Sequence, residues 1–413
     1  MNFEMVGKLS IGKETEKFHP YEEKVFESGW KKRRLVLNAV CGDNRHMLTI
    51  DDGCWADGHG EVVTFSKPAV GENGTKEKGR VLRIPFKERL TSPLLEEVAD
   101  YRKYVIDLDK KSRRTALTNA AKKIHEGTSL TDEELTKLGL NDESEVEDAL
   151  KKSKALRHEF ITEYDFAEFM KKLVDGGAYK DAKFHIYGNV VKQYSDNNAR
   201  WYERLAPNGI YMLDDGEEEE KSIIKFVAIF NKDAIDDMSV DEKGRYYINA
   251  YTMEYDFARG KNIPAPVQIA VLAPDKSSVN YDREKQIAER IVSKFTIEDE
   301  SWKAYGVEAA MINGAQRVEI TEDMLTEDQI IDLGLGLITM EDIRAEFGQD
   351  VYGDRVQEYR FIKALRGYSK GVQDTAYTDD DMVIQPLELN VDSDDDTELD
   401  AELNDDNDDD LFG

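Results

Sequence analysis

GWKKRRLVLNAV, residues 29–40, places a tryptophan and four consecutive cations directly before an apolar run. Within that run Leu35, Leu37 and Ala39 alternate with residues of the opposite side, such as Arg34 and Asn38. Because successive side chains of a strand point to opposite faces, this alternation predicts a strand with one buried side.

Turn residues follow this strand at two places. Gly42-Asp43-Asn44 precedes a second apolar run at His46–Ile50, and Asp51-Asp52-Gly53 precedes a third at Val62–Phe65. Gly, Asn and Asp tolerate the backbone angles of tight turns. With a first strand inside Phe3–Ile11, the pattern predicts antiparallel hairpins.

The stretch at 29–40 also holds both components of single-strand nucleic-acid binding, which are positive charge for phosphates and flat rings for bases. The alternative is a solvated strand edge, where lysine prevents unwanted pairing. The predicted phosphate contacts are Lys31, Lys32, Arg33, Arg34, Arg45 and Lys67. The predicted stacking residues are Trp30, Trp55 and Phe65.

The residue pattern changes to a helical period after Ser92-Pro93, which has the form of an N-cap followed by proline at the first helical position. A helix is predicted over Leu94–Leu108 and another over Ser144–Phe160. Thr131-Asp132-Glu133-Glu134 has the form of a capping box, and a further helix opens at Thr162.

Strand patterning then returns in five segments and predicts a second β-rich region. One predicted strand carries Tyr247, Tyr251, Met253, Tyr255 and Phe257 on a single face. Burial in a core is the favoured interpretation of this aromatic stripe, and an exposed stacking platform is the alternative. Tyr194, Trp201 and Arg204 form a further candidate for nucleic-acid contact. The five segments are 184–194, 200–213, 222–230, 245–257 and 267–272.

The last part of the body is predicted to be mixed, with a helix at Tyr281–Phe295, a strand at Tyr305–Ile320 and further helices to about Leu365. The fold class expected is α+β. The predicted divisions are a β domain at 1–90, a helical insertion at 91–180, a second β-rich domain at 181–275, a mixed helical module at 276–373 and an acidic tail at 374–413.

Two weak internal echoes suggest that a β module and a helical module occur twice. Phe3–Leu9 is similar to Phe184–Val190, and Leu130–Leu140 is similar to Leu325–Leu335. Matches this short also arise by chance, so duplication and coincidence both stay open.

Motifs for metal binding and catalysis are weak. Cys41, His46, Cys54 and His59 flank two predicted turns with equal spacing, but the spacing is unlike the close pairs of zinc sites, so no metal and no cofactor are expected. Gly367–Gly371 matches a nucleophile-elbow pattern, but a helix-like segment precedes it and the acidic tail follows it, whereas the motif requires a strand before and a helix after. A non-enzymatic protein is therefore predicted.

The net charge of −30 is concentrated at the C-terminus, where residues 374–413 contain 17 Asp and Glu and no Lys or Arg. Self-repulsion and little apolar surface predict that this tail is disordered. With two cysteines, no long apolar run and no export signal, the chain is expected to be soluble, not bound to membranes and cytoplasmic, in a host cell if it is phage-encoded.

A basic, aromatic β region joined to an acidic tail tipped by Leu411-Phe412 resembles the replication single-stranded DNA-binding proteins of bacteria and bacteriophages, and the phage members most. The resemblance implies OB-like β-barrels, one or two here, and a tail tip that docks on replication and recombination enzymes and competes with DNA. Carried over, it implicates Asp408, Asp409, Asp410, Leu411 and Phe412. Gly413 departs from the usual aromatic or Pro-Phe end.

The resemblance therefore implies a protein that binds single-stranded DNA in phage replication, recombination and repair, with partner enzymes recruited by the tail. The first alternative is an acidic structural or interaction protein, or a DNA mimic, that has no affinity for oligonucleotides. The second is a nuclease whose carboxylates hold magnesium, although no ligand pattern rises above the acidic background.

Overall fold

The computed structural model describes residues 1–68, 78–177, 179–214, 216, 218–235, 244–274, 276–317, 325–340, 342–343 and 352–386. Within these ranges no helix has the length and hydropathy needed to cross a lipid bilayer. The strands are β1 (Asn2–Ile11), β2 (Tyr21–Val25), β3 (Trp30–Cys41), β4 (Asn44–Trp55), β5 (Glu61–Phe65), β6 (Val81–Pro85), β7 (Tyr104–Asp107), β8 (Arg157–Phe160), β9 (Lys183–Ser195), β10 (Arg200–Met212), β11 (Lys221–Phe230), β12 (Arg245–Asp256), β13 (Lys261–Leu272), β14 (Lys303–Arg317), β15 (Tyr352–Ala364) and β16 (Gln373–Asp374). The α-helices are α1 (Lys111–His125), α2 (Asp132–Leu138), α3 (Val146–Ala155), α4 (Glu163–Asp175), α5 (Tyr281–Val292) and α6 (Glu327–Gly334).

Five strands form a closed ladder, which we call ring one. β1 pairs with β3, β3 with β4, β4 with β10, β10 with β9, and β9 returns to β1. Within this ring only the β4–β10 pairing is parallel. The predicted alternation is confirmed, because Leu35, Leu37 and Ala39 are fully buried inside the ring. Helix α4 lies directly before β9 and packs on β3 and β4.

A second closed ladder, ring two, repeats this order. β11 pairs with β12, β12 with β13, β13 in parallel with β15, β15 with β14, and β14 returns to β11. Helix α5 lies between β13 and β14, as α4 lies before β9. In both rings the spatial order is first, second, third, fifth and fourth strand.

The two rings are joined through β1. Its first half pairs with β11 over Asn2↔Lys225 to Val6↔Lys221, so fourteen strands form one continuous sheet. Buried residues of both rings belong to one apolar core that includes Phe3, Met5, Phe226 and Val307. The buried residues of the two rings therefore form one continuous core.

Between β4 and α4 the chain leaves ring one and builds an insertion. β5 and β6 form a separate two-stranded sheet, β7 and β8 extend the edge next to β10, and α1 to α3 surround a small core of their own that contains Leu117, Leu138 and Val146. The α+β class predicted from the sequence is confirmed by these elements.

Several predicted elements are corrected. Ser92 caps only a 3₁₀ turn at Pro93–Glu96, and the predicted helix to Leu108 ends instead in β7. The predicted helix at Ser144–Phe160 ends in β8. Of the further helices predicted to about Leu365, α6 is present, but Tyr352–Ala364 forms β15. The caps at Thr131 and Thr162 are confirmed, since each side chain accepts a backbone N–H three residues on.

The turn predicted at Asp51-Asp52-Gly53 is wrong, because β4 runs through it to Trp55. Gly53 serves a close approach: a Cβ added there would lie 2.5 Å from ring carbons of Trp30. The glycine is required by a cross-strand neighbour that local sequence does not reveal.

The internal echoes do not mark equivalent positions. Phe3–Leu9 and Phe184–Val190 lie in β1 and β9, which are hydrogen-bonded neighbours in ring one. The second echo reflects a shared capping box at Thr131, in the insertion between β4 and β9, and at Thr326, between β14 and β15 of ring two. The boundaries predicted at 180 and 275 fall inside ring one and ring two, respectively, and do not separate the rings.

Candidate nucleic-acid interface

The four cations at 31–34 have different surroundings. Arg33 is buried, and its guanidinium pairs with Glu23 at 3.1 Å and Glu168 at 3.0 Å and stacks 3.8 Å from the ring centre of Tyr164. Burial alone would lower the pKa of Arg33, but the hydrogen bond to Glu23 and the charges around the guanidinium together outweigh burial and raise that pKa. Arg33 therefore fastens α4 to ring one, and the prediction that it contacts phosphate is corrected.

Lys32 and Arg34 lie on the opposite face of β3. Lys32 pairs with Asp51 at 3.3 Å, and Arg34 stands between Glu22 and Asp51 in the ladder. Much of their charge is offset by these neighbouring carboxylates. Lys31 lies on the same face of β3 as Arg33, faces Cys54 in the ladder and is half-buried, and it forms no ion pair with any described carboxylate.

Aromatic rings gather where β3 begins and β4 ends. Trp30 and Trp55 are directly opposite in the ladder, half-buried, with ring centres 5.3 Å apart in an edge-to-face contact. His59 stacks on Trp55 with ring centres 4.7 Å apart. Phe26 lies in the β2–β3 turn, where its amide donates to the carbonyl of Trp30 at 2.8 Å.

Two cations that form no ion pair with a described carboxylate border these aromatic rings. Lys24 lies 4.6 Å from the ring centre of Phe26. Lys87 lies over the β4–β5 turn, since a Cβ at Gly58 would come within 3.1 Å of its side chain. Charge and rings thus occur together at one end of the β3–β4 hairpin. We call this group the tip surface: Phe26, Trp30, Trp55, His59, Lys24, Lys31 and Lys87.

Trp30, Trp55 and Lys31 are predicted from the sequence as nucleic-acid contacts. Lys24, Phe26 and His59 are not predicted, and only the structure adds them to the tip surface. Phe26 lies in a segment with no strand alternation, and His59 was considered only as a metal ligand. Proximity in the chain could have indicated both aromatic residues, because Phe26 is four residues before Trp30 and His59 is four residues after Trp55.

Arg45 is exposed, but it lies at the other end of β4 from Trp55. The ten residue steps from Arg45 to Trp55 span about 33 Å at about 3.3 Å per residue. Arg45 therefore cannot contact the same few nucleotides as the two tryptophans. Phe65 and Lys67 lie on or next to the separate β5–β6 hairpin, beyond the tip surface.

Tyr194 and Trp201 face each other near the β9–β10 turn, with ring centres 5.4 Å apart. This turn docks on ring two, where Arg259 pairs with Asp196 and lies 5.5 Å from the ring centre of Tyr194. Arg204 donates to the carbonyl of Thr49 at 3.1 Å and pairs with Glu163 at 3.0 Å. The prediction that it contacts nucleic acid is corrected, because these bonds hold β10 against β4 and α4.

The aromatic stripe of β12 is on the outer face of ring two. The alternate residues Tyr246, Ile248 and Ala250 are the buried ones. The interpretation of the stripe as core holds for Tyr251 and Met253, which pack on a small cluster with Trp302, but not for Tyr255 and Phe257. Tyr255 is exposed, whereas Tyr251 packs edge-on against Trp302 with ring centres 5.9 Å apart.

Residues 373–386, which we call the strap, cross this outer face. Asp374 pairs with Lys303 at 2.7 Å in the β16–β14 ladder, and the indole N–H of Trp302 donates to Asp379 at 2.8 Å. Arg259 donates to the carbonyl of Gln385 at 3.0 Å. The start of the tail predicted at Asp374 is therefore corrected, because the strap belongs to the folded body. The end of the tail, which is predicted to dock on partner enzymes, lies outside the described residues: Asp408, Asp409, Asp410, Leu411 and Phe412.

The four weak metal candidates do not converge. Cys41 and Cys54 lie at opposite ends of the β3–β4 ladder, about 33 Å apart at about 3.3 Å per residue. Burial raises the pKa of the Cys41 thiol to about 12 and lowers the pKa of His46 to about 4. In the part of the chain that the structure describes, no three His, Cys, Asp or Glu side chains are grouped as a metal site requires.

No protein-family model and no curated protein matches the chain. Among solved structures, it is similar to a deletion mutant of the single-stranded DNA binding protein from Thermus aquaticus. The match has 8% sequence identity and a TM-score of 0.24, and it covers 79% of this chain and 97% of the other. A likeness at this TM-score carries no argument about fold or function.

Proposed function

We propose that this protein binds single-stranded DNA without sequence preference and without catalysis, through the tip surface of ring one. The observation that carries the proposal is that the tryptophans of the tip surface lie on the strands that bind oligonucleotides in OB barrels. Both rings have the first-second-third-fifth-fourth order of an OB barrel, and in ring one the second and third strands carry Trp30 and Trp55. OB folds bind oligonucleotides on the face of those two strands.

The chemistry of the tip surface fits an unpaired strand. Stacking of a base on an aromatic side chain contributes about 1–3 kcal/mol and is available to every base, because every base has a π face. Lys24, Lys31 and Lys87 would contact phosphates. A duplex hides its base faces, so the surface favours single strands. No side chain of the tip surface is placed for covalent chemistry.

The wider role in the proposal is phage DNA replication and recombination, with the acidic tail recruiting partner enzymes and competing with DNA. What supports competition is charge: residues 374–413 hold 17 carboxylates in a chain whose tip surface presents three lysines. The strap fixes where the tail leaves the body, near Arg259 at the β12–β13 turn.

The test is titration of fluorescent oligo-dT with the full chain, with duplex DNA as control. Trp30→Ala and Trp55→Ala should each weaken binding by about 5- to 150-fold, the equivalent of about 1–3 kcal/mol. Phe257→Ala is the matched control, since Phe257 is 91% exposed in the β12–β13 turn of ring two and does not belong to the tip surface. Loss of affinity in the control alone, or in none of the variants, contradicts the proposed site.

Truncation after Pro386 tests the tail without disturbing the strap. This chain should bind oligo-dT more tightly than the full chain at low salt, and the two should converge as salt screens the tail. Unchanged affinity at low salt argues against competition. If neither chain binds DNA, the acidic interaction protein becomes the better interpretation.

A further inference from the structure

The β5–β6 hairpin has two unlike faces. Its inner face buries Leu82 and Ile84 against Val98 and Ile161. Its outer face presents Val63 and Val81, which are 55% and 53% exposed, next to Phe65 and Arg83. An exposed apolar face on a small hairpin commonly marks a binding surface.

Arg102 is held over this outer face by two aromatic rings. Its guanidinium lies 4.8 Å from the ring centre of Phe65 and 5.5 Å from that of Tyr101, which is 68% exposed. The backbone fixes the arrangement, because the amide of Ala99 donates to the carbonyl of Phe65 and the amide of Arg102 donates to that of Ala99, both at 2.9 Å.

Arg102 differs from the neighbouring cations in its charge balance. Arg83 pairs with Glu61 at 3.2 Å, and Lys67 lies 3.8 Å from Asp100. Arg102 has no carboxylate within ion-pair distance among the described residues, although the whole chain carries a net charge of −30. A guanidinium oriented by aromatic stacking keeps its N–H groups available for a phosphate.

The β5–β6 hairpin directly follows the tip surface in the chain. β5 begins two residues after His59, and its amide ladder with β6 runs from Glu61 to Phe65. The six residue steps from His59 to Phe65 extend at most about 20 Å at about 3.3 Å per residue. That length corresponds to about three to six nucleotides, the upper figure at a rise of about 3.4 Å each.

We propose that the outer face of the β5–β6 hairpin, defined by Val63, Phe65, Val81, Arg83, Tyr101 and Arg102, binds the continuation of the DNA strand held at the tip surface. The inference rests on the proposed function and adds a direction to it, since the bound DNA would run from Trp55 along β5. Arg102 binds a phosphate, and Phe65 and Tyr101 supply rings for bases.

Oligo-dT of increasing length tests the inference, with about 6, 12 and 24 nucleotides as probes. Arg102→Ala should bind the shortest probe as the wild type does and the longest about 3- to 10-fold more weakly. The salt slope of log Kd for the longest probe should fall by about 0.7. Arg283→Ala on α5 is the matched control, because Arg283 is also exposed and has no ion pair among described residues.

Each outcome separates the two proposals. If wild-type protein binds no probe, the proposed function fails and the hairpin with it. If wild-type protein binds but Arg102→Ala is indistinguishable at every length, only the hairpin inference is overturned, and a protein partner becomes the candidate for this face. Equal weakening at all lengths also overturns it, since Arg102 would then belong to the first site. Arg102 is exposed, so its loss should leave the melting temperature unchanged.

Discussion

At the scale of single residues, Gly53 shows how the tip surface is built. The indole of Trp30 lies flat over the backbone of Gly53, where any side chain would stand. Trp55 meets this indole edge-on from the other strand. The positions of the Trp30 and Trp55 indoles relative to the lysines therefore depend on the absence of a side chain at Gly53.

Gly53→Ala should displace the indole of Trp30, because the new Cβ would lie 2.5 Å from its ring carbons. We expect weaker oligo-dT binding by about 3- to 10-fold and a shifted tryptophan emission maximum. Gly367→Ala is the control, since a Cβ there meets no atom within 4 Å. Normal binding by Gly53→Ala would show that the stacked position of Trp30 is unimportant.

Arg33 and Lys31 make a contrasting pair on one strand. Arg33→Ala removes the partner of Glu23 and Glu168 and the contact with Tyr164, so it should lower the free energy of unfolding by about 2–3 kcal/mol in urea titrations. Lys31→Ala should leave stability unchanged and reduce the salt slope of DNA binding by about 0.7. A stable Arg33→Ala protein together with a destabilised Lys31→Ala protein would contradict both expectations.

At the scale of elements, β1 is the strand that joins the rings. Its Glu4 reaches Lys221 at 2.8 Å and Lys225 at 2.9 Å on β11 and His185 at 3.1 Å on β9. Burial alone would raise the pKa of Glu4, but the bonds to the two lysines outweigh it and hold the pKa at about 2. The carboxylate thus adds charge pairing to the backbone ladder between the rings.

Because the folded pKa of Glu4 lies below its ordinary value of 4.5, its contribution to stability is present above that value and is lost as pH falls towards 2. Glu4→Gln should therefore cost about 1 kcal/mol of unfolding free energy at pH 7 and almost nothing near pH 2. Urea unfolding of both proteins at several pH values measures the difference. A constant gap at all pH values would assign the loss to packing.

At the scale of the whole molecule, the shared sheet and the common core make the rings interdependent. β1 contributes hydrogen bonds to β3 and β9 of ring one and to β11 of ring two. At the same junction, Ser222 Oγ lies 2.9 Å from Nε2 of the buried His46. Opening one ring would expose the edge and the core of the other.

We therefore expect the two rings to unfold together. Variants that keep only Trp55 or only Trp302, with phenylalanine at the other tryptophan positions, report on ring one and ring two separately. Their urea midpoints should coincide. Two separate midpoints would show that the β1–β11 ladder does not couple the rings.

The sequence by itself determined those features that depend on neighbours along the chain. Alternation placed Leu35, Leu37 and Ala39 inside a strand, cap residues marked the starts of α2 and α4, and the basic, aromatic run at 29–34 located one edge of the tip surface. Each of these is a local physical signal, since strand period, capping and charge clustering act over a few residues.

Only the tertiary structure decided which of those residues are available. Arg33 and Lys31 are both cations of the same strand. Only Arg33 is buried, and it is bonded to Glu168, which lies 135 positions away in the chain. The same holds for the stripe of β12, where Trp302 and the strap cover Tyr251. Ring membership, charge neutralisation and exposure are set by contacts between distant segments, and residue type and local period carry no information about which distant segment will arrive.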